Sequence, residues 1–327
     1  MWGALCSSNF RCRFRRHVRP AKQLESAEQL DSRFREAVSS IDAGNVEALS
    51  RQLAADSRLV SDRLDSPGSW LREKVGGALD GFFERPYLLW FVTEDPVRNK
   101  ELPSNVAEVA RTIIDAAKRE GVDSLDEQLD YALHLAVCSP IGRDSGRQLQ
   151  LIDTLLDSGA SIERQSRDVG GIPGQALICG NAAAAAHLIE RGAEVTLPTA
   201  VSLERWDDIS RLLPKATARE KQVALALAAL NGKAQGLARL IDAGVELNAY
   251  ATGFYTHATP LHHAVCSGSL DAVKVLVEAG ADLRTKDTAW HATPLGWAEH
   301  YTSENEADPR AKRYTEIAAY LRDKGAS

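Results

Sequence analysis

Along much of this chain, apolar residues return every three or four positions in runs of about ten, and glycines set at fixed distances separate the runs. The segment TPLHHAVCSGSLDAVKVLVEAGAD at 259–282 shows the pattern most fully. Thr259 can cap a helix N-terminus, and Pro260 follows at the first helical position, where a missing amide hydrogen costs nothing. Leu261, Ala264 and Val265 then form one apolar stripe, and Gly268 stands where a left-handed residue ends a helix. Val273, Leu276 and Val277 form a second stripe, closed by Gly280 twelve residues after Gly268. This spacing predicts two short antiparallel helices joined by a tight turn.

The unit recurs. Gly180 and Gly192 flank NAAAAAHLIER, and Gly232 and Gly244 flank KAQGLARLIDA, at the same twelve-residue interval. A fainter copy, NVEALSRQLAA, lies between Gly44 and Asp56, with Asp where Gly is usual. YALHLAVCSP at 131–140 aligns with PLHHAVCSG at 260–268, setting His134 over His262 and Cys138 over Cys266, and LIDTLLDSGAS ends at Gly159. Thr293-Pro294-Leu295 reopens the pattern, and EIAAYLRDKGA closes it at Gly325. Gly159 to Gly192 is one period of 33 residues.

In the TPLH segment, the paired glycines and this period, the chain resembles the ankyrin-repeat family over roughly residues 31–327, most closely at 259–295. The resemblance implies an all-α ankyrin-repeat solenoid of stacked helix-turn-helix units, about seven to eight repeats, some irregular. A single helix pair cannot bury its own apolar face, so such units are stable only when stacked. The expected organisation is a disordered basic tail over 1–24, an irregular ankyrin-like or capping region over 25–124, and an ankyrin-repeat domain with a C-terminal cap over 125–327. Within the irregular region, 62–92 concentrates Trp70, Phe82, Phe83, Tyr87, Trp90 and Phe91. Its Leu71, Val75, Leu79, Phe82 spacing predicts a helix acting as an N-terminal cap. A polar insertion, YTSENEADPRAKRY at 301–314, interrupts the last unit.

Composition is consistent with thin helix pairs: 44% of residues are apolar and only 6% aromatic. The strongest apolar run, PYLLWFV at 86–92, is far short of the roughly 18 residues that cross a bilayer. Five cysteines, an odd number, do not read as a disulfide framework, which points to a reducing, cytoplasmic setting. The first 24 residues carry six basic residues and no acid, so by subtraction from the net −6 the remainder holds about −12. The tail reads as a transit peptide, a nucleic-acid-binding arm, or an upstream mistranslated start. The acidic body argues against duplex binding, which needs a positive stripe to release counterions.

Candidate chemistry has a structural rival at each point. His134 with Cys138, and His262 with Cys266, lie four apart on one helix face, as metal ligands could, but no CxxC or HExxH supplies the remaining ligands. The resemblance makes the His of TPLH a structural residue bonding within and between repeats. Asp207 and Asp208 are adjacent, so they point apart and suit a helix start better than acid–base work. Gly76, Gly77 and Gly81 read as helix-loosening. The sequence holds no GxSxG, phosphate-loop or dinucleotide motif, and an enzyme built on Glu73, Asp80, Glu84, Glu94 and Asp95 within 57–125 is the weakest alternative. The expected protein is therefore non-catalytic, without metal or cofactor, and acts as a scaffold or adaptor for a protein partner, or as an inhibitor blocking a specific enzyme.

In ankyrin repeats the loops between units project as fingers, and with the first helices these form the face that engages a partner. NAYATGFYTHATP at 248–260 and TKDTAWHATP at 285–294 carry four aromatics in a chain that has few. The expected partner-binding surface is Tyr250, Phe254, Tyr255, His257, Trp290 and His291, with Arg284 and Lys286 at its rim. On that reading, replacing Phe254, Tyr255 and Trp290 by Ala leaves melting almost unchanged. The rival expectation is that Phe254 and Trp290 fold back to fill the gap left by a long finger.

Overall fold

The computed structural model describes residues 24–163, 169–304 and 311–326. All its regular elements among those residues are helical. The chain divides into two compact units, Met1–Arg164 and Gln165–Ser327. The basic tail, Leu24 excepted, lies outside the described residues, as do residues 305–310 of the polar insertion.

The first unit contains α1 (Leu24–Asp42), α2 (Val46–Ala55), α3 (Arg58–Ser61), α4 (Ser69–Val75), α5 (Val106–Arg119), α6 (Leu125–Cys138), α7 (Pro140–Asp144) and α8 (Gln148–Ser158). The turn between α1 and α2 runs through Gly44 at φ 64°, and the Asn45 Oδ1 accepts the Ala48 amide at 3.0 Å to cap α2. At the end of α2, Asp56 does not take the left-handed conformation its place in the pattern suggests; its φ is −147°. Its carboxylate instead accepts from Arg58 and Arg33, and Arg58 first of all holds its pKa down at about 2.

The helix predicted through Phe82 stops early, because Gly76 turns to φ 52° and the chain continues as a 3-10 turn, Gly76–Asp80. Two adjacent glycines remove the side chains that would favour continuing the helix. The apolar run emerges as a second 3-10 turn, Leu88–Thr93, with every residue buried. It packs against α1, α5 and α6, inside the unit. Phe83 and Phe91 meet edge to face at 5.3 Å, and Trp90 lies 4.4 Å from Tyr131 while its indole N–H donates to the Gln128 carbonyl at 3.2 Å.

Beside this core, Arg98 is almost fully enclosed, pairing with Glu94 at 2.9 Å and Asp42 at 3.0 Å over the Phe91 ring. The other Glu94 oxygen accepts the Arg98, Asn99 and Lys100 amides, so this acid serves a structural clamp. Burial pushes Asp95 up to about 7, while Glu73, Asp80 and Glu84 are exposed. The five acids therefore form no shared cluster.

The second unit contains α9 (Gly171–Ile178), α10 (Ala182–Glu190), α11 (Leu197–Ser202), α12 (Trp206–Leu212), α13 (Ala218–Leu230), α14 (Ala234–Asp242), α15 (Pro260–Ser267), α16 (Leu270–Glu278), α17 (Pro294–Glu304) and α18 (Ala311–Asp323). Consecutive helices pair, and α11, α13, α15 and α17 then pack in series, as do α14, α16 and α18. Packing is mainly between adjacent pairs, the arrangement of a one-dimensional stack, with α13 also reaching α9. Small residues permit close approach. A Cβ on Gly236 of α14 would fall 2.7 Å from the Val201 side chain of α11.

Gly268 ends α15 at φ 70°, as the pattern predicts. Asp208 lies in the first turn of α12 and pairs with Arg211 and Arg205, which pull its pKa down, consistent with a helix-start role. Cys138 and Cys179 are each disulfide-bonded, against the expectation drawn from the odd cysteine count, and among the described cysteines Cys266 is a free thiol.

Candidate functional site

The two long fingers of the second unit are residues 248–258, between α14 and α15, and 282–293, between α16 and α17. The first closes on itself where the Ala251 amide donates to the Ala258 carbonyl at 3.0 Å. Gly253 at φ 91° and Tyr255 at φ 39° turn the tip over. That turn drives the Phe254 ring inward, where it is 5% exposed and stacks on His263 of α15 at 5.6 Å. His263 is wholly buried. Its Nδ1 lies 3.4 Å from the Ala226 carbonyl, and burial pushes its pKa down to about 3.

The second finger is organised around a buried carboxylate. Asp287 Oδ1 accepts the Ala289 amide at 2.8 Å and the Trp290 amide at 2.6 Å. Its Oδ2 accepts the Ala292 amide and the indole N–H of Trp297, both at 3.0 Å. Burial alone would raise the pKa of Asp287, but these four donors hold it below the usual carboxylate range. The Asp287 amide closes the loop on the Ala292 carbonyl at 2.9 Å, leaving Trp290 and His291 at its tip.

Three bonds join the fingers. The Tyr250 hydroxyl donates to the Lys286 carbonyl at 2.7 Å, the Thr288 amide to the His257 carbonyl at 2.9 Å, and the Asp282 amide to the Asn248 Oδ1 at 2.8 Å. Between them the rings run as a series. Phe254 meets Tyr255 at 5.8 Å, Tyr255 meets His257 at 6.3 Å, and His257 stands perpendicular to Trp290 at 5.0 Å. Trp290 in turn lies 5.7 Å from Trp297. The series continues inside the unit through Tyr301 to Tyr314.

His262 ties the assembly to α15. Its Nδ1 accepts from the Thr259 hydroxyl at 2.8 Å and its Nε2 faces the Ala292 carbonyl at 3.1 Å, so one neutral imidazole bonds within its own unit and to the next finger. Both nitrogens are thereby used, consistent with a structural role. His134 lies against Tyr131, with ring centroids 5.6 Å apart.

The six predicted surface residues thus separate. Trp290 is 56% exposed and Tyr250 38%, His291 is exposed with φ 55°, Tyr255 and His257 are half-buried, and Phe254 is internal. The solvent-facing role expected of Phe254 is not met, because His263 beneath it offers a flat partner and the loop turns toward it. Asp287 and Trp297, which no sequence argument singled out, hold the second finger. The available signal was an Asp placed to accept amides two and three residues ahead.

Residues 175–287 match the family model of ankyrin repeats, in three copies. This segment carries ankyrin repeats. The match covers α10 to α16 and the first finger, and ends at the Asp287 that organises the second. Ankyrin repeats are in general modules for protein–protein interaction. No curated protein matches the chain. None of the described helices is long and apolar enough to cross a membrane.

Proposed function

We propose that this protein is a non-catalytic scaffold or adaptor that holds a protein partner against its two joined fingers. The contact surface is Tyr250, Tyr255, His257, Trp290 and His291, with Phe254 supporting it from beneath. The observation that carries the reading is the state of Trp290: a large ring left mostly in solvent, on a loop whose backbone is fixed by three amide hydrogen bonds to one carboxylate, itself held by the Trp297 indole. An exposed aromatic on a rigid loop is an interface anchor whose ordering cost is already met.

Affinity capture with the full chain, Tyr250→Ala and Trp290→Ala tests this. A specific partner retained by the parent chain and lost by Trp290→Ala, with circular dichroism unchanged, is expected. Equal retention by all three proteins would place the interface elsewhere.

A further inference from the structure

The charges around the fingers narrow the partner. The second finger carries Asp282, Arg284, Lys286 and Asp287. Its two acids are committed internally. Asp287 is buried under four N–H donors, and Asp282 accepts the Thr285 hydroxyl at 2.7 Å and the Arg284 amide at 2.9 Å. Its two bases stay in solvent, Arg284 close enough to Asp282 to help Thr285 lower the pKa of that acid. Arg284 and Lys286 are exposed, and neither forms an ion pair with a described carboxylate. The Lys286 backbone carbonyl accepts from the Tyr250 hydroxyl, which anchors this residue next to the exposed tyrosine. The first finger, 248–258, contains no acid or base apart from His257. In a body carrying about −12 net charge, the fingers are locally balanced, and what they expose is aromatic rings bordered by two solvent-facing cations.

We infer that the fingers recognise an acidic segment of a protein partner bearing an aromatic or aliphatic anchor, the anchor packing on Trp290 and Tyr250 while its carboxylates meet Arg284 and Lys286. The inference rests on the interaction reading above. Rim charges that complement a partner speed association and select against wrong partners, and their effect is screened by salt.

The probe is a phage-displayed library of random dodecapeptides, panned on the immobilised full-length chain and counter-selected on Arg284→Glu/Lys286→Glu. Expected are enriched peptides combining Asp or Glu with a large apolar residue. Their synthetic forms should bind the charge-reversed chain about tenfold more weakly and lose affinity as sodium chloride rises. Circular dichroism of the double variant checks that it is folded. Failure to enrich acidic peptides, or enrichment of peptides that bind both proteins equally, overturns the acidic-partner inference. If such peptides still lose about thirtyfold in affinity to Trp290→Ala, the finger interface itself stands. Peptides indifferent to Trp290→Ala would remove both. Binding of single-stranded oligonucleotide in place of peptide, abolished by the charge reversal, would overturn the proposal in favour of an anionic polymer.

Discussion

Two segments of this chain are rich in aromatics, and they use them in opposite ways. In residues 62–92 the rings of Phe83, Tyr87, Trp90 and Phe91 turn inward, and the run Leu88–Thr93 is buried on all sides. In the fingers, Phe254 alone turns inward, while Tyr250 and Trp290 stay in solvent. The cause is what each backbone finds beneath it. The 3-10 turn at Leu88–Thr93 is surrounded by α1, α5 and α6, which accept rings from several directions. The second finger is held up from inside by Asp287 and the buried Trp297 that donates to it, so the Trp290 ring is not needed to fill that space. An aromatic residue is a stability element in the first case and a surface available for recognition in the second.

The contrast is sharpened most by truncating rings on either side of it. Phe91→Ala removes a wholly buried ring and the surface under Arg98, and should cost about 3–5 kcal/mol in urea unfolding. A cost under about 1 kcal/mol would remove the insertion from the core. Phe254→Ala, inside a finger, should behave like a core variant and cost about 3 kcal/mol. The earlier expectation that a triple variant including it leaves melting unchanged is corrected by its burial. Asp287→Ala strips the acceptor from four donors and should cost about 2 kcal/mol, read as faster amide exchange at Ala289, Trp290 and Ala292.

Acid should act on the second unit through its histidines. Burial lowers the pKa of His257, His262 and His263, the last to about 3. Below the unfolded value near 6.5 the unfolded chain binds protons that the folded chain refuses. Stability present in full above that pH is therefore lost as pH falls from 6.5 toward 3. His263→Gln should flatten this slope by at most about 1.4 kcal/mol per pH unit. An unchanged slope would show that His263 already titrates normally in the fold.

The helix pairs were legible because they depend on local rules. A glycine twelve residues after another and a Thr-Pro at a helix start act on the backbone directly, and Gly268 ends α15 as those rules require. The insertion was legible only in composition. Its Leu71 to Phe82 spacing is helical, yet Gly76 and Gly77 break it, and a 3-10 turn buried on every side leaves no stripe to read. The site was legible as a set of residues and not as a surface. Whether Phe254 or Trp290 points outward depends on His263 and Asp287, which come near only after the stack has formed.

The central claim is that Trp290 contributes to binding and little to folding, and one paired measurement on Trp290→Ala tests it: urea unfolding alongside titration with the captured partner. The account predicts a stability change within about 0.5 kcal/mol and an affinity about thirtyfold weaker. A large loss of stability with affinity retained would contradict it.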